Sequence, residues 1–484
     1  MKQYIFMNRY KTAISIFILL LAISTKNFSQ NNATTFSLKQ CVEQALASNI
    51  PVKQTGLQLE NAEINLQQAK ADKLPNLNGN LDFGFNRGRS VDPQTNSYIN
   101  QQLSSSNAGL SSGIVLFNGM RLQNLIKQNS FTREAAKMDW QQAKDNLTLN
   151  VILAYLQVLN NEDVLEIAKG QLEVTKKQLE RTGILVKEGA AANYVLTDLK
   201  GQQANEQISL INLTSALQQS KLNLCQLMNI DFNNALQLER INVETALIPY
   251  AANAGEIYQA AFTNLALVKA NTYKVQSAEK AINAAHGGAF PVLRFNGNLG
   301  SNYSSLAKTL TQTNITEVGT GDYIKINGTP NPVLTLQQNY SALKTGYIKQ
   351  LNNNLGTFVG FNLQIPLFNS FQNKNRVKLA NIALKNSQLE AENTNLQLKQ
   401  NIEQAYLNSS SGFERYGVLV EQVKNLDESF RAAEVRFGNG VINTTEYLIA
   451  KNNLDRAKIN LLLAKYEYIF RTKILDFYQG RLSW

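Results

Sequence analysis

The side chains able to do chemistry are few. The chain has one histidine, His286, and two cysteines, Cys41 and Cys225, and neither a Cys/His metal cluster nor a Ser-His-Asp triad is easily built from them. An enzyme would have to work with carboxylates or lysines, and no motif gathers these into a site. No catalytic residue, metal ligand or cofactor is expected, and the protein is read as not an enzyme. Its basic excess is equally undirected. Of the formal charge of +11, four cations (Lys2, Arg9, Lys11 and Lys26) precede residue 30, leaving +7 scattered along the rest. Nucleic-acid binding needs a concentrated basic face with interleaved aromatics, so no nucleic-acid partner is expected.

Residues 1–29 read as a signal peptide, because three of those cations precede the apolar run Ile14–Ile23 and small or polar residues follow it. The run is too short to span a membrane, and no cysteine follows closely enough to carry a lipid. No later stretch approaches 18 consecutive apolar residues, which excludes an inner-membrane protein with helical spans. If a membrane is crossed, strands must cross it.

The chain repeats itself. Leu116-Phe117-Asn118-Gly119 returns as Leu367-Phe368-Asn369-Ser370, and Ala154-Tyr155-Leu156-Gln157 returns as Ala405-Tyr406-Leu407-Asn408. Gly189 meets Gly440, Lys200 meets Lys451 and Leu224 meets Leu475, all at a shift of 251, whereas Pro75 meets Pro291 at 216. The difference of 35 residues is extra chain between Pro291 and Leu367. Two repeats are therefore expected, 30–248 and 249–484, each a helix, a strand pair, a very long helix and a second long helix. In the first they are read at 38–72, 77–86, 107–117, 118–187 and 192–228. In the second they are read at 255–287, 292–303, 355–367, 369–437 and 443–478. No proline falls within 118–248 or 367–484, where an interior one would cost a helix about 3 kcal/mol.

The first long helix carries a heptad seam through Leu147, Val151, Ala154, Val158, Asn161, Leu165, Ala168, Leu172, Thr175, Leu179, Thr182 and Val186. The second keeps it more loosely, from Leu398 and Ile402 to Phe430 and Phe437. Such a repeat implies helices coiling around neighbours, and about 70 residues of helix would span roughly 100 Å. The stripe is read as buried core, not a ligand site.

Between the helices the period changes to 2. Leu77, Leu81, Phe83 and Phe85 alternate with Asn78, Asn80, Asp82 and Asn86, and Leu293, Phe295, Leu299 and Tyr303 alternate with Arg294, Asn296, Asn298 and Asn302. The other two strands place Ala108, Leu110, Ile114 and Leu116, and Leu355, Val359, Phe361, Leu363, Ile365 and Leu367, on their apolar faces. An ordinary sheet packed on helices also alternates, but here the polar face is almost purely Asn, Gln, Gly and Ser, as suits a wall facing a water-filled lumen. The connections 87–106 and 304–353 read as cell-surface loops. Four strands leave two open edges that lipid cannot satisfy. Other copies must complete the sheet, and three copies, giving twelve strands, are the smallest solution with an open interior.

The duplicated plan, with "LFNG" and "LFNS" leading from strand to long helix and glycine-bearing turns at the far end, resembles the TolC family of outer-membrane efflux proteins across about residues 36–480. The resemblance implies a mainly α fold with a membrane β-barrel portion: a homotrimer forming a twelve-stranded barrel, continued by a periplasmic α-helical coiled-coil barrel. It further implies contact with outer-membrane lipid, a periplasmic adaptor (membrane fusion protein), an inner-membrane pump, and passive conduction in a tripartite efflux or type I secretion system. The turns 186–199 and 436–448 match the family's helix tips, so Gly189, Ala190, Ala191, Gly440 and Val441 are the adaptor-docking candidates. Glu446 stands at the acid position of the second tip. At the first, the matching position is Val195, with Asp198 one turn further on, and the family's basic position is Ile442. Glu446 and Asp198 are the gate candidates. The same plan brings Cys41 and Cys225 together, with two buried thiols favoured over a disulfide. A secreted coiled-coil structural or adhesive protein of the cell envelope is the alternative, which explains heptads and export but not four amphipathic strands.

Overall fold

The structure, a computed structural model, describes residues 35–91, 96–100, 102–232, 234, 236–240 and 247–481. The segment read as a signal peptide lies outside them. The first half runs β1 (Thr35–Phe36), α1 (Leu38–Ser48), α2 (Ile50–Ala71), β2 (Asn76–Asn86), β3 (Arg89–Val91), β4 (Tyr98–Asn100), β5 (Leu103–Phe117), α3 (Arg121–Lys187), α4 (Asn193–Met228) and β6 (Gln237–Leu238). The second runs α5 (Ala254–Asn264), α6 (Ala266–Gly287), β7 (Val292–Ser304), β8 (Lys308–Ile326), β9 (Thr329–Lys344), α7 (Tyr347–Asn353), β10 (Gly356–Gln364), α8 (Gln372–Gly438) and α9 (Thr444–Tyr478). Both α3 and α8 have 67 residues, and both their ends are displaced by 251.

Several expected boundaries change. The helix expected over 38–72 is two, broken at Asn49, and that over 255–287 is two, broken at Leu265; both break residues are extended (ψ 123° and 134°). In the first break Pro51 cannot donate a backbone hydrogen bond, and Asn49 Oδ1 accepts from Val52 N at 3.3 Å. In the second there is no proline; the freed N–H of Leu267 donates to Gln142 Oε1 at 3.0 Å, a side chain of α3. Capping boxes at Ser37/Gln40 and Asn253/Glu256 start α1 and α5. The long helices start at Arg121 and Gln372, not at 118 and 369, because Gly119 and Met120, and likewise Ser370 and Phe371, are left-handed. Residues 192 and 443 are N-caps, not first helical residues. Strand β5 starts at Leu103 instead of 107, and β10 covers Gly356–Gln364 instead of 355–367. The connection 304–353 is not simply a loop: it holds the β8–β9 hairpin and α7.

The chain divides into two compact units, each discontinuous in sequence. One comprises the described part of Met1–Leu57, Met138–Lys269 and Thr394–Trp484. Its larger core gathers Val151, Ile152, Tyr155 and Val158 of α3 with Cys41, Val42, Leu224, Cys225 and Met228. A second core joins Ile257 and Ala261 to Leu398, Ile402 and Leu475. The heptad seam lies inside: Val151 and Val158 are fully buried, and Thr175 and Thr182 nearly so. Cys41 and Cys225 are both buried as thiols; burial, and secondarily Cys225, push the Cys41 thiol up to about 12.

The other unit comprises Gln58–Lys137 and Ala270–Asn393. It holds a four-stranded sheet in the order β10-β7-β5-β2, antiparallel throughout. Both β10 and β2 are open edges, so one chain does not close a barrel. The ladder aligns Asn78, Ser111, Asn298 and Phe358 in one cross-strand row, and Phe295 with Phe361 on the opposite side. A register shift between Val115 and Phe117 takes Leu116 out of the alternation. Among the described residues no helix is long and apolar enough to cross a membrane.

Candidate functional site

Helices α3 and α8 stop by the same backbone device. Gly189 and Gly440 have φ of +69° and +73°, a region that costs an L-residue roughly 1–2 kcal/mol. Each closes a Schellman motif: Gly189 N donates to Val186 O at 3.1 Å and Ala190 N to Leu185 O at 2.8 Å, while Gly440 N donates to Phe437 O at 3.0 Å and Val441 N to Arg436 O at 2.8 Å. Gly440→Val is accordingly expected to lower the unfolding free energy by about 1–2 kcal/mol, seen as a lower denaturant midpoint. The control is Gly201→Ala, inside α4 with open space where its Cβ would go, which should raise it by about 0.5–1 kcal/mol. Equal responses would contradict the cap.

The two turns border one cleft of about 630 Å³, lined by Ala190, Ala191, Gly440, Val441, Val195, Ile442, Glu446 and Arg181 among others. Glu446 sits in the first turn of α9, where its N–H donates to Asn443 Oδ1 at 2.9 Å and its Oε1 accepts from Asn443 Nδ2 at 3.0 Å. Asp198 is exposed on α4 and does not line the cleft. Reading the sequence missed Arg181, the cation of this cleft, whose Nη2 donates to Gly438 O at 3.5 Å. No local signal marks it, because it comes from the end of α3 whereas the expected basic position lies after α8. Below the turn, Tyr447 is 1% exposed and stacks on Phe437, with ring centroids 4.6 Å apart. Burial pushes its phenol up to about 12, with Glu434 adding to the effect.

A buried charge cluster was also missed. Lys451 on α9 is 3% exposed, with Nζ 2.7 Å from Glu206 Oε1 of α4 and 2.7 Å from Asp455 Oδ2. Glu206 Oε1 also accepts from Thr175 Oγ1 of α3 at 2.9 Å and from Gln202 Nε2 at 2.8 Å, while its buried Oε2 accepts from no group among the described residues. Burial raises the Asp455 carboxyl above its usual range, with Lys451 opposing. Glu206 Oε1 of α4 thus joins three helices, accepting from Lys451 of α9 and Thr175 of α3. The repeat-related Lys200 is exposed, so the two lysines share a sequence position and not an environment.

In the unit that holds the sheet, the polar side opens on a cleft of about 980 Å³ bordered by Asn78, Ser111, Asn296, Asn298 and Arg294 of the strands and Asp72 and Arg121 of adjoining segments. The opposite side presents Leu77, Leu81, Phe83, Val359 and Phe361, each more than 60% exposed. Hydrogen-bonding groups predominate on one side, where Phe358 also stands, and hydrocarbon on the other. Among the described residues no group of three or more His, Cys, Asp or Glu could hold a metal ion.

Known proteins share this architecture. The sequence model of the family described as outer membrane efflux protein matches residues 41–229 and 257–478. The chain is 22% identical over 466 residues to outer membrane protein TolC of Salmonella enteritidis, covering 96% of this chain and 86% of that protein. Its fold is similar to that of the Campylobacter jejuni CmeC outer membrane channel, with a TM-score of 0.73 at 15% identity over 92% of this chain and 85% of the other. It is likewise similar to that of the outer membrane protein VceC of Vibrio cholerae, with a TM-score of 0.73 at 14% identity over 92% and 96% of the two chains.

Proposed function

Because the chain belongs to the outer membrane efflux protein family, whose members are outer-membrane channels and not enzymes, we propose that it conducts cargo passively outward as a homotrimer. The observation that carries this reading is the four-stranded sheet with two open edges, one polar side and one exposed apolar side. Its strands are even in number and antiparallel, so β2 and β10 run in opposite directions. Rotating a copy about a common axis brings β10 of one against β2 of the next as an antiparallel pair, and every edge is satisfied when the ring closes. Three copies make twelve strands, wide enough for a conduit. Phe361 and its neighbours then face lipid, and the Asn and Ser rows face water. The two halves, 30–248 and 249–484, serve as repeats that contribute two strands each.

The turns at Gly189–Ala191 and Gly440–Val441 dock a periplasmic adaptor that links the channel to an inner-membrane pump. Three copies of Glu446 and Asp198 supply an acidic ring at the aperture, and Arg181 provides the cation that Ile442 does not. Selectivity arises from pore radius and these charged rings. Cargo is driven by the pump, since the channel lowers no chemical barrier.

The decisive experiment is the mass of the detergent-extracted protein from the outer-membrane fraction, with its conductance in planar bilayers. A trimeric mass with discrete conductance steps is expected. A soluble monomer without conductance would overturn the reading and favour the coiled-coil envelope protein. Replacing Glu446 and Asp198 together by Asn is expected to lower cation selectivity without loss of the trimer; unchanged selectivity would remove the acidic ring.

A further inference from the structure

The ladder of the four-stranded sheet brings four changes between strand and helix to one end: the start of β2, the end of β5, the start of β7 and the end of β10. There Asn76 is opposite Gly113, Gly113 opposite Asn296, and Leu293 opposite both Phe117 and Leu363. The ten residues beyond each of these ends carry Lys70, Lys73, Arg121, Lys127 and Lys374 against one acid, Asp72, and all of these are exposed. Part of a basic excess that is scattered along the chain is therefore gathered by the fold at a single level.

Two cations at this level stand on the polar side. Arg294 of β7 lies opposite Asn362 of β10, and Arg121 opens α3; both border the cleft of about 980 Å³, beside Asn78, Ser111, Asn296 and Asn298. Among the described residues neither guanidinium is joined to an acid in an ion pair. Asp72, the acid of this cleft, accepts through Oδ1 from Gln68 Nε2 at 2.7 Å, so the two guanidiniums leave one net positive charge per copy. The one acid within the four strands is Asp82, in the row of Asn107 and Asn302. That row is roughly 26 Å along β7 from Arg294. The distance exceeds the Debye length of about 8 Å at physiological ionic strength, and Asp82 does not neutralise the arginines.

A guanidinium presents a planar fork of donors that matches carboxylate and phosphate oxygens in pairs, and the neighbouring asparagine amides add neutral donors. We propose that Arg121 and Arg294 of the three copies form a positive belt in the lumen where strands give way to helices, and that the belt binds the carboxylate or phosphate groups of passing cargo. This rests on the ring proposed above and adds the class of cargo that the lumen favours. The acids assigned to the aperture act on the same ion current, so the belt shows as a change from the parent protein and not as net selectivity.

The full chain is extracted in detergent, its particle mass measured, and the protein reconstituted in planar bilayers of phosphatidylcholine. Two quantities are read: the chloride-to-potassium permeability ratio, and the block of single-channel current by inorganic tripolyphosphate. The parent is expected to be blocked, and the block to fade as KCl is raised from about 0.1 M to 1 M and the Debye length falls from about 10 Å to 3 Å. The double variant Arg121→Gln with Arg294→Gln is expected to lower the permeability ratio about tenfold, the low end of the local enrichment produced by a focused lining of one sign. Arg294→Glu alone should lower it more than Arg294→Gln alone. Discrete conductance with no block in the parent, or an unchanged ratio in the double variant, overturns the belt and leaves the ring intact. A block that disappears when phosphatidylglycerol is added to the bilayer assigns the guanidiniums to lipid headgroups and also overturns the belt. A monomeric mass without conductance overturns the ring and the belt together.

Discussion

Lys451→Ala is expected to destabilise the protein by about 3–5 kcal/mol, the usual cost of stranding a buried charge. The ammonium is 2.7 Å from both Glu206 Oε1 and Asp455 Oδ2, and little else there neutralises two carboxylates. Hydrogen bonds from Thr175 and Gln202 reach Glu206 but carry no charge. The loss depends on pH, and its sign follows from Asp455. Burial already raises that carboxyl, with Lys451 the first opposing influence, so removing Lys451 raises it further. A carboxyl raised in the folded state binds its proton more tightly there than in the unfolded chain, and acidification through its folded pKa favours folding. The deficit of Lys451→Ala should therefore be greatest near pH 8 and smaller near pH 5, read as the difference in unfolding midpoint from the parent at each pH. A triple variant, Lys451→Met with Glu206→Gln and Asp455→Asn, should recover most of the loss, since a buried ion pair can be replaced by neutral groups of similar size at little cost. A deficit below about 1 kcal/mol for Lys451→Ala would place the cluster among ordinary surface pairs.

Phe361→Arg is the second large effect. Phe361 is 71% exposed on the apolar side of β10 and packs on Phe295 with ring centroids 5.0 Å apart. An arginine facing lipid costs about 2–4 kcal/mol at the bilayer midplane, and three copies would each bear it. Loss of protein from the outer-membrane fraction and of the trimeric species is expected. Asn298→Arg, on the polar side of the neighbouring strand, should leave assembly intact and shift conductance toward anions. If the two variants behave alike, the apolar side does not meet lipid and the sheet is an ordinary one packed against protein.

The long helices and the amphipathic strands could be read from the sequence because their causes are local. A proline-free stretch rich in helix formers, with a 3.5-residue apolar stripe, has few other ways to bury that stripe, and a strict alternation has one. Where a cause lay elsewhere in the chain, reading along it failed. The break at Leu265 depends on Gln142, more than a hundred residues away, whereas the matching break at Asn49 is announced by Pro51 two residues on. Arg181 and Glu446 line one cleft only because two helix ends meet there. Lys451 looked like any surface lysine of a coiled coil, and its counterpart Lys200 is one; burial came from Glu206 and Thr175 on other helices. The β8–β9 hairpin was obscured because Gln312, Glu317 and Gln338 share a side with Leu310, Ile315, Leu334, Leu336 and Tyr340, and register shifts at Gln312/Asn314 and Gly319/Tyr323 interrupt the alternation. The turns at Gly189 and Gly440, by contrast, stood out because glycine after a long helix has a specific backbone use.

The constant displacement of 251 between α3 and α8 makes the protein its own reference experiment. Every residue of one long helix has a partner of the same rank, the same distance from a glycine stop, on a helix of the same length. The same shift relates the starts of α4 and α9, Asn193 and Thr444, and carries Lys200 onto Lys451, so Lys200→Ala alters the same residue type at the matching position as Lys451→Ala, but in water instead of in the buried cluster. The difference between their effects isolates environment from residue type within a single polypeptide, without a second protein for comparison.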